Sequence, residues 1–531
     1  MIDVSSGIVP VIPIDREAAA PLHRQVYAGF REAILRGDLA AGQQVPSSRA
    51  LAAELQISRF PVLDAYAQLL AEGYFESRVG AGTFVSASLP RAAASQPRRP
   101  TDEPSASRHT SHRSALFPPY DPNPWRFGWG AFGIHQPALD QFPFDLWSRL
   151  LARHSRDLQV PSPSVRGPLG LLPFREAVCS YLRTARAVRC DPAQIMVVSG
   201  SQQALDITTR VLLDPGDEAW IEEPCYPLVR SLLLGSGCRP VPVPVDNEGL
   251  NVSAGVRMAP NARVAFVTPS HHYALGVTMS ASRRFQLLEW SRRASAWIVE
   301  DDYDSEYRYD SMPIPSLQGL DTSDRVIYIG TFSKVFRPSL RLGYIVISAD
   351  LVDRFSAVRF SMDIFPSYLF QEALTDFMTD GHFARHIRRM RALYKSRRTA
   401  LVESLRAEFG DFLTIHGSEA GMHLTVTWPE SFRAGARNGS SGSSDGIHSV
   451  TNSARSASTD SPGGGTSDSA RGSLSDIAIA TRAAKEKLWL WPLSPCYSGP
   501  HPRNGFLLGF GNTPEDQMPQ AVRRLRHALQ L

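Results

Sequence analysis

At 531 residues the chain is long enough for two or three domains and a large buried core. A hydrophobic content of 43%, a charged content of 20% and a net charge of +4 are those of a globular protein, with no overall field drawing it to nucleic acid or acidic lipid. Five cysteines, without a C-x-x-C pair, argue against a disulfide framework or a zinc ribbon and fit a reducing, cytoplasmic setting; no apolar run predicts a membrane span.

The first twenty residues, MIDVSSGIVPVIPIDREAAA, lack a basic start, and prolines interrupt their apolar run, so no signal peptide is expected. Residues 15–86 predict three helices and a hairpin. Leu22, Val26, Phe30, Ile34 and Leu35 recur at helical spacing. Ser47 or Ser48 is placed to cap a second helix running through Leu55, and Ser58 a third running to Glu72. Two short helices across a tight turn make a helix-turn-helix, whose second helix meets base edges with its N-terminal residues. YFESRVGAGTFVS then reads as two β runs about Gly80-Ala-Gly82, a wing.

ILRGDLAAGQQVPSSRALA, ISR and LLAEGYFESRVGAGTFV closely resemble the winged helix of the GntR family of bacterial repressors. That resemblance implies double-stranded DNA as a partner, met by Arg49, Ser58, Arg59 and Gly80. Phe60-Pro61 stand where the family usually has a polar pair. Residues 1–86 hold seven Arg against nine Asp and Glu, so a DNA-binding face must come from placement rather than domain charge.

Residues 87–120 are rich in Pro, Ser, Ala and Arg and read as a flexible linker. From 121 to 531 strand-like and helical runs alternate, which predicts a mostly parallel sheet covered on both faces. Residues 431–475 are Ser/Gly-rich and read as a disordered insertion, because they bury too little to offset ordering entropy.

Only four of the 56 basic residues are lysines: Lys334, Lys395, Lys485 and Lys487. Lys334 lies in YIGTFSKVFRPSLRLGYIV, just past an apolar strand. A positioned lysine amine serves as a nucleophile toward carbonyls, above all in a Schiff base with pyridoxal phosphate. That cofactor also needs a carboxylate at its ring nitrogen, a hydroxyl at its phenolic oxygen, an anion cup and a stacking group. Asp301 ends a strand in IVEDDYDSEYRY, with Tyr303 two residues on. Ser201 and Gln202 open a helix after VVSG, which suits a phosphate. Arg341 can fork onto the same phosphate, and Tyr226 can stack on or flank the ring.

SGSQQALDITTRVLLDPGD, EEPCYP, VTPSHHYALGVTMS, IVEDDYDSEYRYD, GTFSKVFRPSLRLGY and HPRNGFLLGFG resemble the fold-type I aminotransferases, and more closely the MocR/GabR subfamily, which joins a GntR winged helix to an aminotransferase-like domain. The resemblance implies an N-terminal winged helix-turn-helix and an α/β PLP-dependent transferase-like domain with a small C-terminal α+β subdomain. It makes Lys334 the Schiff-base lysine, Asp301 the partner of the pyridine nitrogen and Tyr303 that of the phenolic oxygen. Ser201, Gln202, Thr331, Ser333 and Arg341 fall on the phosphate side, and Arg503 matches an arginine that grips an amino acid's carboxylate. His272, Ala274 and Leu275 depart from the usual Gln-aromatic-Pro-small-Gly loop, which lines the cofactor's outer face in aminotransferases. The adjacent His271 and His272, lacking suitably spaced acidic or cysteine partners, predict no metal site. The expectation is a homodimeric transcription regulator sensing PLP or a small amine; the alternative is an aminotransferase with a non-regulatory front domain.

Overall fold

The computed structural model describes residues 12–78, 80–87, 110–118, 120, 122–157, 167–310, 314–336, 338–429, 432 and 475–531. The chain forms two compact units that divide between His109 and Thr110. Most of the expected linker, 88–109, and nearly all of the expected insertion, 433–474, lie outside the described residues. The end of the expected linker is ordered: His112–Leu116 form a short 3-10 turn, and Phe117 packs so closely on Gly235 that a Cβ there would stand 2.1 Å from its ring.

In the first unit, α1 (Leu22–Arg36) turns Val26, Phe30, Ala33 and Ile34 inward and stops at Gly37, whose φ of 82° suits a residue without Cβ. Ser47 accepts the Ala50 amide at 3.2 Å and starts α2 (Ser48–Glu54). Ser58 stands at the N-cap of α3 (Arg59–Ala71), but its hydroxyl makes no capping bond. The expected cap fails for a local reason. An N-cap side chain bonds the second or third amide of the helix, and the third residue here is Pro61, which has no N–H. The hairpin of β1 (Phe75–Arg78) and β2 (Gly82–Val85) is in register from Phe75↔Val85 to Arg78↔Gly82. Phe30, Tyr66 and Phe75 meet edge to face at 5.2–5.5 Å and fix hairpin to helices.

In the second unit, α4 (Pro124–Phe127), α5 (Phe144–Asp157) and α6 (Leu172–Arg186) precede an eight-stranded sheet. Its strands are β3 (Ile195–Val198), β4 (Glu218–Glu223), β5 (Arg239–Asp246), β6 (Gly249–Leu250), β7 (Val264–Val267), β8 (Trp297–Asp302), β9 (Val326–Thr331) and β10 (Gly343–Val346). Their spatial order is β3-β10-β9-β8-β7-β4-β5-β6. The run β9-β8-β7-β4-β5 is parallel, whereas β10 lies antiparallel to both β3 and β9, and β6 antiparallel to β5. Strands β3, β7, β9 and β10 are buried along their whole length, as a sheet covered on both faces requires. Helices α7 (Ser201–Leu212), α8 (Pro227–Gly235), α9 (Val252–Met258), α10 (Ala281–Ala294), α11 (Leu317–Leu320), α12 (Val352–Asp363) and α13 (Leu369–Thr379) accompany it.

The long α14 (His382–Phe409) leads into a smaller antiparallel sheet of β11 (Thr414–His416), β12 (His423–Thr427), β13 (Trp491–Pro492) and β14 (Gly505–Gly509), ordered β11-β12-β14-β13. With α15 (Asp476–Lys485) and α16 (Met518–Leu529) these strands enclose a core that includes Leu401, Leu424, Ile479, Phe506 and Leu525. Buried Asp476 fastens α15 to this sheet by accepting the amides of Ser494 and Gly505.

Trp220 anchors the outer half of the large sheet. It stacks on Trp290 at 3.9 Å, donates Nε1–H to the Ala259 carbonyl at 3.0 Å, and lies against Gly255, where a Cβ would fall 2.9 Å from its ring. Replacing it with Ala deletes a fully buried ring and should cost this unit about 3–5 kcal/mol. A guanidinium unfolding curve should show the larger unit's transition move to lower denaturant; an unmoved midpoint would contradict this packing.

Candidate functional site

β3, β4, β7, β8 and β9 point the same way, so their C-terminal ends share one edge of the sheet. Loops leaving that edge enclose a cavity of about 250 Å³. Its wall carries Ser201, Gln202, Tyr226, Asp301, Tyr303, Thr331, Ser333, Lys334 and Arg341. His135, Thr268, Tyr273 and Pro338 complete it, and none of these four was singled out from the sequence.

One end is built for an anion. Gly200, with φ 110°, turns the chain from β3 into α7, so the amides of Ser201 and Gln202 open a helix with no intrahelical acceptor. A Cβ on Gly200 would stand 3.2 Å from the Arg341 guanidinium, so glycine lets that cation approach the helix start. Arg341 itself sits in a left-handed turn with φ 50°. Across from it the Ser333 amide donates to Thr331 Oγ1 at 3.1 Å. Gln202 Oε1 is buried without a partner among the described residues.

At the centre, burial pushes the Lys334 amine down to about 7, against the opposing pull of Asp304 and then Asp301. Burial, reinforced by Asp302 and opposed by Lys334, pushes the Asp301 carboxyl up to about 7. Asp301 Oδ1 has no hydrogen-bond partner among the described residues, so this carboxylate presents free acceptor capacity to the cavity. Its neighbour Glu222, driven to about 8 chiefly by burial, is bound by the amide and hydroxyl of Thr268.

Tyr303 donates its hydroxyl to the His271 carbonyl at 2.9 Å. Aromatic rings form the remaining wall. Tyr226 meets Tyr273 edge to face at 5.0 Å, and His135 stacks on Tyr273 at 5.9 Å. His135 takes φ 66°, and burial followed by the Lys334 charge disfavours its protonation.

His272, Ala274 and Leu275, expected to line the cofactor's face, lie off the cavity, which meets Tyr273 instead. His272 is a clasp within its own loop. Its Nε2 donates to the Pro224 carbonyl at 3.0 Å, which leaves Nδ1 to accept the Leu275 amide at 3.2 Å. Burial lowers its pKa to about 3, consistent with a neutral ring. Arg503 is not brought to the cavity either. It is exposed on the loop before β14, near Tyr497, whose pKa burial raises against the pull of Arg503, and near His416, whose pKa burial lowers with Arg503 adding to the shift.

In the first unit, Arg59 Nε donates to Ser48 Oγ at 3.1 Å and so ties the start of α3 to the start of α2. Arg49, Ser58 and Arg59 are all exposed around that junction, and Gly80 is exposed at the hairpin tip with φ 76°. Phe60 is 72% exposed beside them.

With its pKa near 7, about half of Lys334 should be neutral at neutral pH. Acylation followed by peptide mapping should give half-maximal labelling of Lys334 near pH 7. An unperturbed lysine requires about pH 10. With only four lysines in the chain the peptides are easily assigned; labelling of Lys334 that tracks an ordinary lysine would refute the shift.

Comparison with known proteins agrees with this geometry. Residues 22–85 match the bacterial regulatory proteins of the gntR family, and residues 165–443 match aminotransferase class I and II. The chain is 42% identical, over 78% of its length and 83% of the relative's, to the probable rhizopine catabolism regulatory protein MocR of Rhizobium meliloti. It is 30% identical to the pyridoxine biosynthesis transcriptional regulator PdxR of Corynebacterium glutamicum, over 72% of this chain and 78% of that one. Among solved structures, the Pyrococcus horikoshii kynurenine aminotransferase aligns with a TM-score of 0.61 at 25% identity, over 74% of this chain and 89% of that one. The aminotransferase fold implies pyridoxal phosphate as the cofactor. No helix among the described residues is long and apolar enough to cross a membrane. The chain belongs to the MocR subfamily of gntR-type transcription regulators, in which a winged helix is joined to an aminotransferase class I and II domain.

Proposed function

We propose that this regulator binds double-stranded DNA through the helix-turn-helix face around Arg49, Ser58, Arg59 and Gly80, and that it responds to pyridoxal phosphate or to a small amine or amino acid meeting that cofactor at Lys334. The observation that carries the reading is one cavity wall holding a lysine with a depressed pKa, an unpartnered buried aspartate and an anion cup. The cradle at Gly200, the free Asp301 oxygen and the unpartnered Gln202 oxygen fit a flat, phosphate-bearing heterocycle with a protonated ring nitrogen. Bound there, pyridoxal phosphate supplies an aldehyde for amines and a ring that withdraws electrons.

The protein's own groups do the rest. Lys334 offers an amine about half neutral at neutral pH and, once freed, a base for an adjacent proton. Asp301 gains a partner and returns to its charged state. Ser201, Gln202, Thr331, Ser333 and Arg341 hold phosphate oxygens, with the guanidinium as a fork. Tyr303 faces a phenolic oxygen with its hydroxyl, while Tyr226 and Tyr273 flank the ring. Arg503 is the candidate for an effector's carboxylate, from the loop before β14. We take the working form to be a cytoplasmic homodimer. Exposed Phe127, Trp129, Phe360 and Ile364 support this, as apolar surface that a second copy can cover.

Two measurements test this reading, the first of which separates it from an aminotransferase with an idle front domain. Footprinting of PLP-loaded protein on the DNA beside its own gene should show a protected pair of short repeats. Arg49→Ala or Arg59→Ala should weaken that binding about tenfold. No protection with or without PLP would favour the enzyme reading. Borohydride treatment should fix the cofactor on the peptide holding Lys334; a Lys334→Ala protein that still fixes it would exclude that lysine.

A further inference from the structure

Three side chains behind Tyr303 are shut away from solvent: His271 and Asp304 are 1% exposed and His423 is 2% exposed. His271 Nδ1 lies 3.2 Å from each Asp304 oxygen and 3.2 Å from the Tyr303 hydroxyl. The same hydroxyl donates to the His271 carbonyl, so ring and backbone of one residue hold the phenol at two points. Asp304 Oδ2 also accepts the Met422 amide at 3.1 Å, at the entrance to β12. His271 Nε2 has no partner among the described residues, which puts the ring proton on Nδ1, between the carboxylate and the phenol.

The backbone is shaped around this ring. A Cβ on Gly421 (φ 74°) would fall 2.2 Å from the imidazole and 2.6 Å from Asp304. One on Gly276 (φ 67°) would fall 3.0 Å from His271 Nε2. From the C-terminal subdomain, His423 lies nearly parallel to the Tyr303 ring at 6.5 Å and 4.8 Å from His271. Burial dominates the titration of both Lys334 and Tyr303, and in each case Asp304 is the foremost charge, opposing burial at Lys334 and reinforcing it at Tyr303.

We propose that Asp304, through the buried His271 ring, is a positioning residue for the cavity: it fixes the direction of the Tyr303 hydroxyl and supplies negative charge toward the Lys334 nitrogen. This rests on the cofactor reading above. The role differs from that of Asp301, which lines the cavity and would meet the cofactor directly. It also differs from metal binding. His271, Asp304 and His423 offer ligand atoms that all lie within 4.8 Å of one another, so the test below distinguishes a metal from the hydrogen-bonded arrangement.

The test is the visible absorbance of the PLP-loaded full chain against pH, for the wild type and for Asp304→Asn, Asp304→Glu and His271→Gln. Asp301, Glu222, Tyr273, His135 and His423 are the other titratable groups near Lys334 and Tyr303, and all stay in place. Removing the negative charge makes the lysine nitrogen lose its proton more readily. The spectral midpoint of Asp304→Asn should therefore fall by about one pH unit or more. Asp304→Glu should recover part of the shift, and His271→Gln should move the midpoint the same way by less. Lower thermal stability or PLP occupancy with an unmoved midpoint means a purely structural role and overturns the proposal. So does stoichiometric zinc that survives chelator dialysis in wild type and is absent from His423→Ala. Should Asp304→Asn fail to fold, His271→Gln decides by the same midpoint. A wild type with no bound chromophore removes the cofactor reading, and this inference with it.

Discussion

Desolvation at the carboxyl edge of the large sheet governs the rest of the second unit. One amine and several carboxyls converge there: Glu222, Glu300, Asp301, Asp302, Asp304 and Lys334. Burying such groups is costly unless each finds a partner. Most do. Glu300 accepts the amides of Leu317 and Gln318 at the start of α11, and Asp302 Oδ2 meets Arg186, Tyr328 and Ser305. Glu222 is bound by Thr268, and Asp304 by His271 and the Met422 amide. Asp301 is the one of these carboxylates with no hydrogen bond among the described residues, and it faces the cavity rather than the core. The second layer of paired carboxylates thus acts as a rigid mount for an unpaired first layer. A ligand bearing a positive ring nitrogen would relieve the deficit at Asp301, and a phosphate on it would meet the exposed Arg341 guanidinium.

The site was legible where its chemistry follows a strand. Lys334, Asp301, Tyr303, Tyr226, Ser201 and Arg341 each lie within a few residues of an apolar run, and a parallel sheet brings such positions to one edge without further information. The rest depends on loops closing over that edge. His135 comes from far upstream in a left-handed conformation that no local pattern announces. Thr268 and Tyr273 belong to a loop whose reading fixed on its departures, His272, Ala274 and Leu275. That loop turns at Ala274 (φ 92°), with His272 pinned beneath Pro224, so Tyr273 is the residue presented to the cavity. Strand direction was equally hidden. β10 is as apolar as β9 yet runs against both neighbours, because burial on two faces leaves the same composition in either sense. In the first unit Ser58 does stand at the start of α3, but its hydroxyl makes no capping bond, a consequence of Pro61 that the sequence already carried and the cap reading did not use.

The two units solve opposite electrostatic problems. The second concentrates charge in a dry interior; the first must present charge to solvent from a segment that is slightly acidic overall. It does so locally. The Arg59–Ser48 bond brings the openings of α2 and α3 together, with exposed Arg49 next to Ser48 in sequence, while acidic Glu72 at the far end of α3 pairs with Tyr27. Phe60 adds apolar surface at the same point, in place of the polar pair usual in this family. DNA affinity built this way leans on a few well-placed arginines, so salt should weaken it less steeply than it weakens a broadly basic domain.

Regulation requires that a ligand in the cavity favour one arrangement of the chain over another, because a ligand with equal affinity for both shifts nothing. Within the second unit a physical route for such a preference exists. Tyr303 faces the cavity on one side and His423 of the C-terminal subdomain on the other, and Thr425 on the same strand bonds the Ala274 carbonyl of the cavity loop. Gly276 and Gly417 pack so closely that a Cβ on either would stand 2.4–2.5 Å from the other's Cα. A joint this tight resists gradual deformation and favours discrete positions. Engagement of the Tyr303 hydroxyl by a ligand would loosen its bond to the His271 carbonyl, and His271 touches both Asp304 and the His423 ring. Tyr303 is thus the residue through which a ligand in the cavity would be felt by the C-terminal subdomain.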